Sequence, residues 1–549
     1  MGGNTGLDDR QALRYRWATA VIIGTVTALR VAYLFAWCPY DLAPDEAHYW
    51  DWSRHLDWSY YSKGPLVAWL IRASCEVFGP VSVAWHGTLM PAVRLPAVLC
   101  GGLTLAAVYV LTVQTFRDDR LALGVVLAAL TMPPVAVCAV VMTIDAPFLC
   151  LWAWALAVGR LALVDGKRWA WPAAGLLIAL GILAKYTMAL WLVSAGLFIL
   201  FTPTHRRLLM RPGFWVMVGV AGLSALPILW WNSQHDWVTF RHVAGQAGVN
   251  SDAKAGIRWL GPLSYVGEQF GLLLGYWFVA WASAMVVRRP SREIDPGIRY
   301  LWWMSLPTFA LFGLTSLRSA GQVNWPVAAY LSGLVLAASY VARILQSPNN
   351  RLRRTANVCL TFAASLGLFL SFLVHDTRMI VPFLAQFVGP ETEDKPTPIR
   401  AIDPASRLKG WQFLAGEVDT LRARVRATDG ADPVVTAVRW DLPGQLGFYC
   451  AGHPPVYSLG LIMRDRHSQY DLWRPNPLDD AQVFFGRSFV FVGMGDPERQ
   501  FATAFDSVEP RRDVTYREHG QAIGKWSIWV CHGFKGFDPA LRATASPAH

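Results

Sequence analysis

The chain has 549 residues, of which 54% are hydrophobic and 16% are charged, whereas soluble domains carry about 25% charged residues. Its formal net charge is +11, but the basic residues form short clusters between apolar runs, and a nucleic-acid footprint is therefore not favoured. Its eight cysteines show neither a CxxC pair nor a Cys/His metal spacing, so the sequence predicts no zinc site.

Apolar runs recur from the first residues to about residue 376. A spanning helix needs about 20 mostly apolar residues, and the first run, Trp17–Trp37, is long enough to be a retained helix, not a cleaved signal peptide. The sequence predicts about eleven transmembrane helices, near 17–37, 93–115, 121–136, 146–164, 170–184, 187–202, 213–231, 261–287, 298–316, 323–343 and 354–376.

Lysine and arginine orient these predicted helices. Alternation from a cytoplasmic N-terminus gives the inside segments 1–16, 116–120, 165–169, 203–212, 288–297 and 344–353, and every one of them contains basic residues. The positive-inside rule then places the N-terminus in the cytoplasm and the C-terminal region outside the cytoplasmic (inner) membrane.

The first outer loop, about 38–92, reads PYDLAPDEAHYWDWSRHLDWSYYSKGPLVAWLI from Pro39 onward. Pro44 suits the first position of a short helix, and a second amphipathic helix is predicted after Pro65, both at the membrane interface. Asp45 and Glu46 would lie in the first turn of the short helix. One alternative is that a carboxylate here acts as a general base on a hydroxyl; the other is that both acids only complement the helix dipole. Lys63 is a candidate for neutralising a phosphate or for reaching lipid headgroups.

Further polar residues lie at the outer ends of the predicted helices. Together with Tyr61 in the first loop, we interpret them as candidates for a ligand site: Asp145, Lys185, Tyr186, Asn232, His235, Arg318 and Asn324. Ionisable residues in membrane segments are costly and indicate function. Lys63, Lys185 and Arg318 suit the phosphate of a membrane lipid. The chain has no nucleotide-binding GxxxxGK[ST] motif, so a nucleotide donor is not expected.

The region after residue 380 has a different pattern. A linker rich in proline and charge, GPETEDKPTPIRAIDP, indicates a domain boundary, and we predict a membrane domain over 1–380 and an extracytoplasmic α/β domain over 381–549. Helices are predicted near 416–428 and 442–449, and strands near 434–438, 456–458, 488–492, 514–519 and 525–530.

Cys450 and Cys531 both fall in this predicted outer domain. An extracytoplasmic location permits a disulfide between them. Two buried free thiols are the alternative.

The motif PDEAHYWDWSRHLDWSYYSKGPLVAWLI resembles the first outer loop of the bacterial polyprenyl-phosphate-sugar-dependent glycosyltransferases of the C-type (GT-C) membrane fold. These are relatives of the protein O-mannosyltransferases and of the lipid A aminoarabinose transferase. The resemblance continues through TIDAPFLCLWAWA, GILAKYTMALW, WWNSQHDWVTFRH, QVNWPVAAYLS, RLKGWQFLAGEV and RDRHSQYDLW, and so covers most of the chain.

The resemblance implies an inverting transfer from a lipid-phosphate sugar. The family's loop-one acid matches Asp45, the implied general base, with Glu46 beside it, and its phosphate-binding lysine matches Lys63. Relatives often have Lys-Pro-Pro where this chain has Lys63-Gly64-Pro65. The aminoarabinose enzyme has a glutamate where Ser62 stands, so its metal site does not carry over. No cofactor is expected, although a divalent cation stays open.

The expected function is glycosyl transfer from a polyprenyl-phosphate sugar to an acceptor hydroxyl on the outer face of the inner membrane. Two alternatives stay open, namely a transporter of lipid-linked sugars and a membrane assembly protein with a partner-binding tail. The sugar is not specified by the sequence, and the acceptor is a lipid, a glycan or a protein.

Overall fold

A computed structural model of the chain describes residues 5–246, 257–291, 294–493 and 497–538. Residues 247–256 of the outer segment between the seventh and eighth predicted helices, and Arg292 of the basic segment 288–297, lie outside the described residues. The chain divides into two compact units. The helical unit comprises Met1–Trp37, Lys63–Leu70 and Arg94–Phe372, and the mixed unit comprises Cys38–Ser62, Ile71–Val93 and Leu373–His549.

Twenty-two α-helices occur in the described residues. They are α1 (Thr5–Ala36), α2 (Pro44–Arg54), α3 (Leu66–His86), α4 (Met90–Phe116), α5 (Asp119–Leu130), α6 (Pro133–Cys138), α7 (Asp145–Leu163), α8 (Ala170–Ala184), α9 (Ala189–Phe201), α10 (Pro212–Gly222), α11 (Ala225–Gln234), α12 (Val238–Gln246), α13 (Gly261–Leu272), α14 (Tyr276–Val287), α15 (Pro296–Thr315), α16 (Ala329–Leu345), α17 (Asn350–His375), α18 (Val381–Leu384), α19 (Trp411–Asp429), α20 (Leu442–Tyr449), α21 (Ala481–Phe484) and α22 (Glu498–Ala504).

Seven helices among the described residues are long and apolar enough to cross a membrane, or eight if the bent pair α13–α14 counts as one span. The chain is therefore a multi-pass membrane protein. All eleven predicted segments are largely helical, but several are too short to meet this criterion, so the count of eleven stays a prediction. Helix α3, which we predicted as interfacial, meets it with 21 residues.

Three predicted helices are divided in the structure. The segment predicted over 213–231 is divided at Leu223 and Ser224 into α10 and α11, although the two together still meet the length criterion. The single helix predicted over 261–287 is wrong, because α13 and α14 meet at 116°. Leu274 and Gly275 between them have φ of 55° and 66°, a left-handed conformation that ends a right-handed helix. The segment predicted over 121–136 is divided at Thr131 and Met132 into α5 and α6, because Pro133 lacks the N–H that a continuous helix requires.

The helical unit packs around large aromatic side chains. Trp152, Trp191 and Tyr300 are fully buried, and the Tyr300 hydroxyl donates a 2.9 Å hydrogen bond to the carbonyl of Leu156. A Cβ at Gly159 would lie 2.4 Å from the Trp191 ring. A glycine at this position therefore permits the close packing of α7 against α9 and α15.

The mixed unit contains a six-stranded sheet. Its strands are β1 (Val434–Ala437), β2 (Val456–Ser458), β3 (Phe489–Gly493), β4 (Phe505–Val508), β5 (Arg512–Glu518) and β6 (Gln521–Phe534). The order is β2-β1-β3-β6-β4, with β5 also paired to β6. The pairs β1–β2 and β1–β3 are parallel, whereas β6 runs antiparallel to its neighbours. The predicted α/β class is thereby confirmed.

The mixed unit differs from the predicted 381–549 domain in its extent. It also contains 38–62 and 71–93 of the predicted first loop, and it begins at Leu373. The sequence provided no indication of this, because these two segments end about 280 and 310 residues before Leu373. Strand β4 was also not predicted. Cys450 and Cys531 are buried free thiols, so the disulfide is absent; burial raises the pKa of the Cys531 thiol to about 12.

A buried carboxyl gives the mixed unit a pH-dependent stability. Asp471 accepts a 2.7 Å hydrogen bond from the N–H of Ser468, and burial raises the pKa of Asp471 to about 6. Because the folded carboxyl holds its proton more tightly than the unfolded one, its contribution to stability is complete below about pH 4 and is lost as the pH rises through about 6.

We therefore expect Asp471→Asn to raise the free energy of unfolding by roughly 1–3 kcal/mol at pH 8 and to change it little near pH 4. Thermal unfolding of the full chain at both pH values measures this, with the exposed Asp506 changed to Asn as the matched control. A variant less stable than the parent at pH 8 would contradict the prediction.

Candidate functional site

Helix α2 of the mixed unit forms as predicted from its sequence. Pro44 occupies the first helical position, where its missing N–H costs no hydrogen bond. The Glu46 carboxylate is fully buried and accepts a 2.7 Å hydrogen bond from the N–H of Ala43. Glu46 thus caps its own helix. Asp45, one position earlier, is partly exposed, so its carboxylate is the more accessible of the two.

Helix α2 packs against α20 at very short range. A Cβ at Gly444 would lie 2.9 Å from the backbone of Ala47 and His48, so the absence of a side chain lets the two helices touch. Trp50 packs edge-on against Phe448, with 4.8 Å between ring centroids. The orientation of α2 is therefore set by contacts that extend along most of its length.

The chain before α2 is held by hydrogen bonds to the C-terminal part of the mixed unit. The N–H of Leu42 donates to the Tyr449 hydroxyl at 2.6 Å, and its carbonyl accepts from the Gln445 side chain at 2.8 Å. Asp41 accepts a 2.7 Å hydrogen bond from the N–H of Trp411 at the start of α19, where the N-cap residue is Gly410 and has no side chain. Asp41 therefore caps a helix that lies 370 residues later.

The chain after α2 is held in the same way. Asp51 is 2% exposed and forms a 2.5 Å ion pair with Arg54, which also donates to the carbonyl of His453 at 2.9 Å. The N–H of Tyr61 donates a 2.7 Å hydrogen bond to the Gln469 side chain. The predicted place of Tyr61 in a sugar pocket stays a prediction.

These anchoring partners were missed by the sequence analysis. Gln445, Tyr449 and Gln469 lie in ordinary helices and turns of the predicted outer domain, and their sequence separation from loop one is 403, 407 and 408 residues. No local pattern signals such distant pairs.

A second group of predicted residues meets in the helical unit. The Lys185 ammonium donates to Asp145 Oδ1 at 2.7 Å, and the Asn324 amide donates to Asp145 Oδ2 at 2.7 Å. Asp145 and Lys185 are each 8% exposed, so desolvation strengthens their attraction. Asp145 begins α7, Lys185 directly follows α8, and Asn324 precedes α16. The structure thus brings three of the predicted site residues together.

The residue after Lys63 lies close to the C-terminal end of helix α8, the helix that Lys185 follows. A Cβ at Gly64 would lie 2.2 Å from the carbonyl oxygen of Leu183, two residues before Lys185. The Lys63-Gly64-Pro65 sequence, which departs from the family's usual Lys-Pro-Pro, therefore has a physical reason, since no larger residue fits at position 64. The Lys63 side chain itself is partly exposed.

Two other candidates are engaged in local structure. The Asn232 amide donates to the carbonyl of Ile228 at 2.9 Å and accepts from the N–H of Thr239 at 3.1 Å, so both ends of its side chain stabilise the turn after α11. His235 stacks on Trp231 with 3.9 Å between ring centroids. Neither contact reaches the Asp145 group, and their pocket roles stay predictions.

Arg318 and Tyr186 lie at helix ends as expected. Arg318 follows α15 in a turn and is exposed, and Tyr186 directly follows Lys185 and is partly exposed. Their predicted roles in binding the phosphate and the sugar stay predictions. Among the described residues, no group of three or more His, Cys, Asp or Glu side chains is arranged to hold a metal ion.

An apolar cavity adjoins the Asp145 group in the helical unit. Its volume is about 100 Å³, and its lining includes Ala146 and Leu149 of α7, the residues that follow Asp145, together with Leu105, Leu272 and Leu334. Polar side chains contribute little to this lining, which suits hydrocarbon and not a sugar. The Lys185–Asp145 ion pair and an apolar cavity therefore both adjoin the first turns of α7.

Parts of the sequence match known proteins. Residues 62–231 match the family model described as dolichyl-phosphate-mannose-protein mannosyltransferase, a range that includes Lys63, Asp145 and Lys185. The chain is 32% identical over 303 residues to the lipid A galacturonosyltransferase RgtD of Rhizobium johnstonii. This match spans 54% of the chain and 60% of that relative, so the chain covers about three fifths of the relative's length.

Two solved structures share the fold. The crystal structure of ArnT from Cupriavidus metallidurans in the apo state aligns over 93% of this chain and 97% of its own, with a TM-score of 0.55 and 17% identity. The structure of the same protein bound to undecaprenyl phosphate gives a TM-score of 0.57 at 16% identity and the same coverage. The resemblance to the GT-C glycosyltransferases found in the sequence is confirmed, and the chain has their fold.

Proposed function

We propose that this chain is a glycosyltransferase that takes a sugar from a polyprenyl phosphate and adds it to an acceptor hydroxyl on the outer face of the inner membrane. The observation that carries the proposal is the buried Lys185–Asp145–Asn324 group at the polar end of α7, next to the apolar cavity. A cation beside an apolar cavity suits an amphiphilic anion, which describes a lipid phosphate.

The proposed reaction is an inverting displacement. Asp45 takes the proton of the acceptor hydroxyl, whose oxygen forms a bond to the anomeric carbon as the bond from that carbon to the phosphate oxygen breaks. The phosphate leaves with the electron pair. Cations stabilise the negative charge that develops on the leaving phosphate in the transition state, and such stabilisation is usually the largest contribution to the rate. We assign this role to Lys63 and Lys185.

Lys185 can bind a phosphate although it is paired. An ammonium has three N–H donors, and Asp145 accepts one of them at 2.7 Å. Asp145 and Asn324 then hold the lysine in place, which lowers the entropy lost when a ligand binds.

Among donors, galacturonic acid is the first to test, because the curated relative at 32% identity is named as a galacturonosyltransferase. The full chain in lipid nanodiscs would be given undecaprenyl-phosphate galacturonic acid or undecaprenyl-phosphate mannose, with lipid A as acceptor. Mass spectrometry of the product and of the released undecaprenyl phosphate is the measurement. A transporter would move the donor without breaking its glycosidic bond, so intact donor throughout would overturn the proposal.

The lysine is tested with its charge partner removed at the same time. A Lys185→Met/Asp145→Asn double variant leaves no unpaired buried charge, and we expect the KM for the donor to rise tenfold or more. Arg206→Gln, at an exposed position in the basic segment 203–212, is the control. A donor KM and kcat within twofold of the parent would exclude Lys185 from phosphate binding.

A further inference from the structure

The loops that follow β1 and β2 lie at the same edge of the sheet, because these two strands are parallel. The chain leaves β1 toward β2 on one side, while β3 lies on the other side of β1. In open α/β sheets, ligands bind at the carboxyl ends of parallel strands where the strand order reverses. The residues that follow β1 therefore lie at the position at which such sheets bind ligands, and those that follow β2 lie beside them at the same edge.

Both loops are basic and have strained backbones. Arg439 follows β1 with φ of 66°, and Arg464 follows β2 with φ of 58°. Residues other than glycine adopt this left-handed conformation uncommonly, and Arg464 does so as the cap of the short helical turn Gly460–Met463.

Side chains from the two loops meet at Trp440. The Arg466 guanidinium lies 4.9 Å from the Trp440 ring centroid, and Arg439 donates a 2.9 Å hydrogen bond to Asp441. Arg400 lies near enough to Arg439 that burial and the charge of Arg439 lower the pKa of Arg400. Among the described residues, neither Arg400 nor Arg466 forms an ion pair. Arg439 thus pairs with Asp441, the charges of both residues act on Arg400, and Arg466 lies on the neighbouring Trp440 ring.

Buried polar atoms without partners lie beside these arginines. Asp441 and Gln445 are 2% and 1% exposed, yet Asp441 Oδ1 and Gln445 Oε1 have no hydrogen-bond partner among the described residues. Buried acceptors normally have a partner, and an unsatisfied one requires an explanation such as a bound ligand or water. Both are suited to accept hydrogen bonds from hydroxyl groups.

The same edge borders helix α2. The His48 ring lies 5.7 Å from the Trp440 ring, and Gly444 touches the backbone of Ala47 and His48. Burial and the charge of Arg466 lower the pKa of His48 to about 3, so this imidazole is neutral and adds no charge. Asp45 lies three residues before His48 on α2.

We propose that Arg400, Arg439 and Arg466 form a binding site for the anionic headgroup of the acceptor, a phosphorylated or carboxylated glycolipid. The arginines bind the anionic group through paired N–H donors, and Asp441 and Gln445 accept hydrogen bonds from sugar hydroxyls. This inference rests on the proposed function where it calls the ligand an acceptor. The binding of an anionic group at these arginines does not require that a sugar is transferred.

Binding is measured first, on the full chain in the Asp45→Asn background. The probes are phosphatidylcholine vesicles that contain either bisphosphorylated lipid A or phosphatidylglycerol at equal surface charge, with inorganic phosphate as competitor. Arg439→Gln/Arg466→Gln is expected to weaken binding to lipid A vesicles tenfold or more. The matched control is Arg424→Gln/Arg426→Gln, which removes the same charge from exposed positions of α19 and should leave binding unchanged.

Inorganic phosphate that displaces lipid A at millimolar concentration supports a site for the phosphate group itself. Equal binding to the two kinds of vesicle, or an equal loss in both double variants, would show only general attraction to a charged membrane and overturn the proposal.

Steady-state kinetics in the Asp45 parent then separates this inference from the proposed function. We expect Arg439→Gln/Arg466→Gln to raise the KM for lipid A while kcat and the donor KM stay within twofold. Transfer with an unchanged acceptor KM would remove the site and keep the function. Specific binding without any transfer would keep the site and remove the function.

Discussion

Replacing Asp45 by asparagine is expected to lower kcat by about 10²–10⁴-fold, the usual contribution of a general base. Asparagine has nearly the shape of aspartate but cannot take a proton, and the partly exposed side chain contributes little to packing. The full chain should therefore insert and unfold as the parent does. Initial rates of donor consumption and thermal unfolding in the same detergent measure both properties.

Two neighbouring acids provide controls. Glu46→Gln retains an oxygen for the N–H of Ala43, the contact now made at 2.7 Å, and should remain active. Asp57→Asn changes a carboxylate that accepts from the N–H of Trp58 at 2.7 Å and should also leave kcat within a few fold. If Asp45→Asn turned over at a near-normal rate, the base would have to be sought elsewhere.

The largest expected loss of stability follows from Lys409→Met. Lys409 is 4% exposed and donates to Asp403 at 2.8 Å and to Glu518 at 2.7 Å. Removing the ammonium leaves two carboxylates buried without their cation, and breaking such a buried pair costs about 3–5 kcal/mol. The midpoint of thermal unfolding of the full chain should fall, and the mixed unit should become sensitive to protease.

Two further variants test the electrostatic cause. Lys525→Met removes an ammonium with a 43% exposed side chain, 3.9 Å from Asp513, and should cost less than about 1 kcal/mol. A Lys409→Met/Asp403→Asn/Glu518→Gln variant has no buried charge in this group and should recover much of the loss. A triple variant as unstable as Lys409→Met would show that the lysine stabilises through packing.

Local patterns predicted most of the elements but not their assembly. The predicted helix 442–449 and strand 456–458 agree with α20 and β2 to the residue, since proline, glycine and β-branched residues define their ends. The bend between α13 and α14 was not predicted, because apolar composition continues through it. Hydropathy reports what is buried and is insensitive to a change of helix direction.

The candidate site shows the same division. Asp145, Lys185 and Asn324 were each selected for their place at a helix end, and their meeting at 2.7 Å depends on the fold. The role of Glu46 as a cap was one of two open alternatives, and the 2.7 Å contact with Ala43 shows the cap; a part for Glu46 in catalysis stays a prediction. The docking of α2 on α20 was out of reach, because it requires residues about 400 positions apart.

That separation has a consequence for biosynthesis. Asp41 precedes its partner Trp411 by 370 residues, and chains are made at about 5–20 residues per second. Segment 38–62 therefore exists for roughly 20–70 s before the surface that holds α2 has been translated. During this interval the side chains of α2 that later pack against α20 are exposed and can bind chaperones. An unfinished chain that ends after α17 would still lack the partners that hold α2, so the position of Asp45 is fixed only after residues 411–469 have been made.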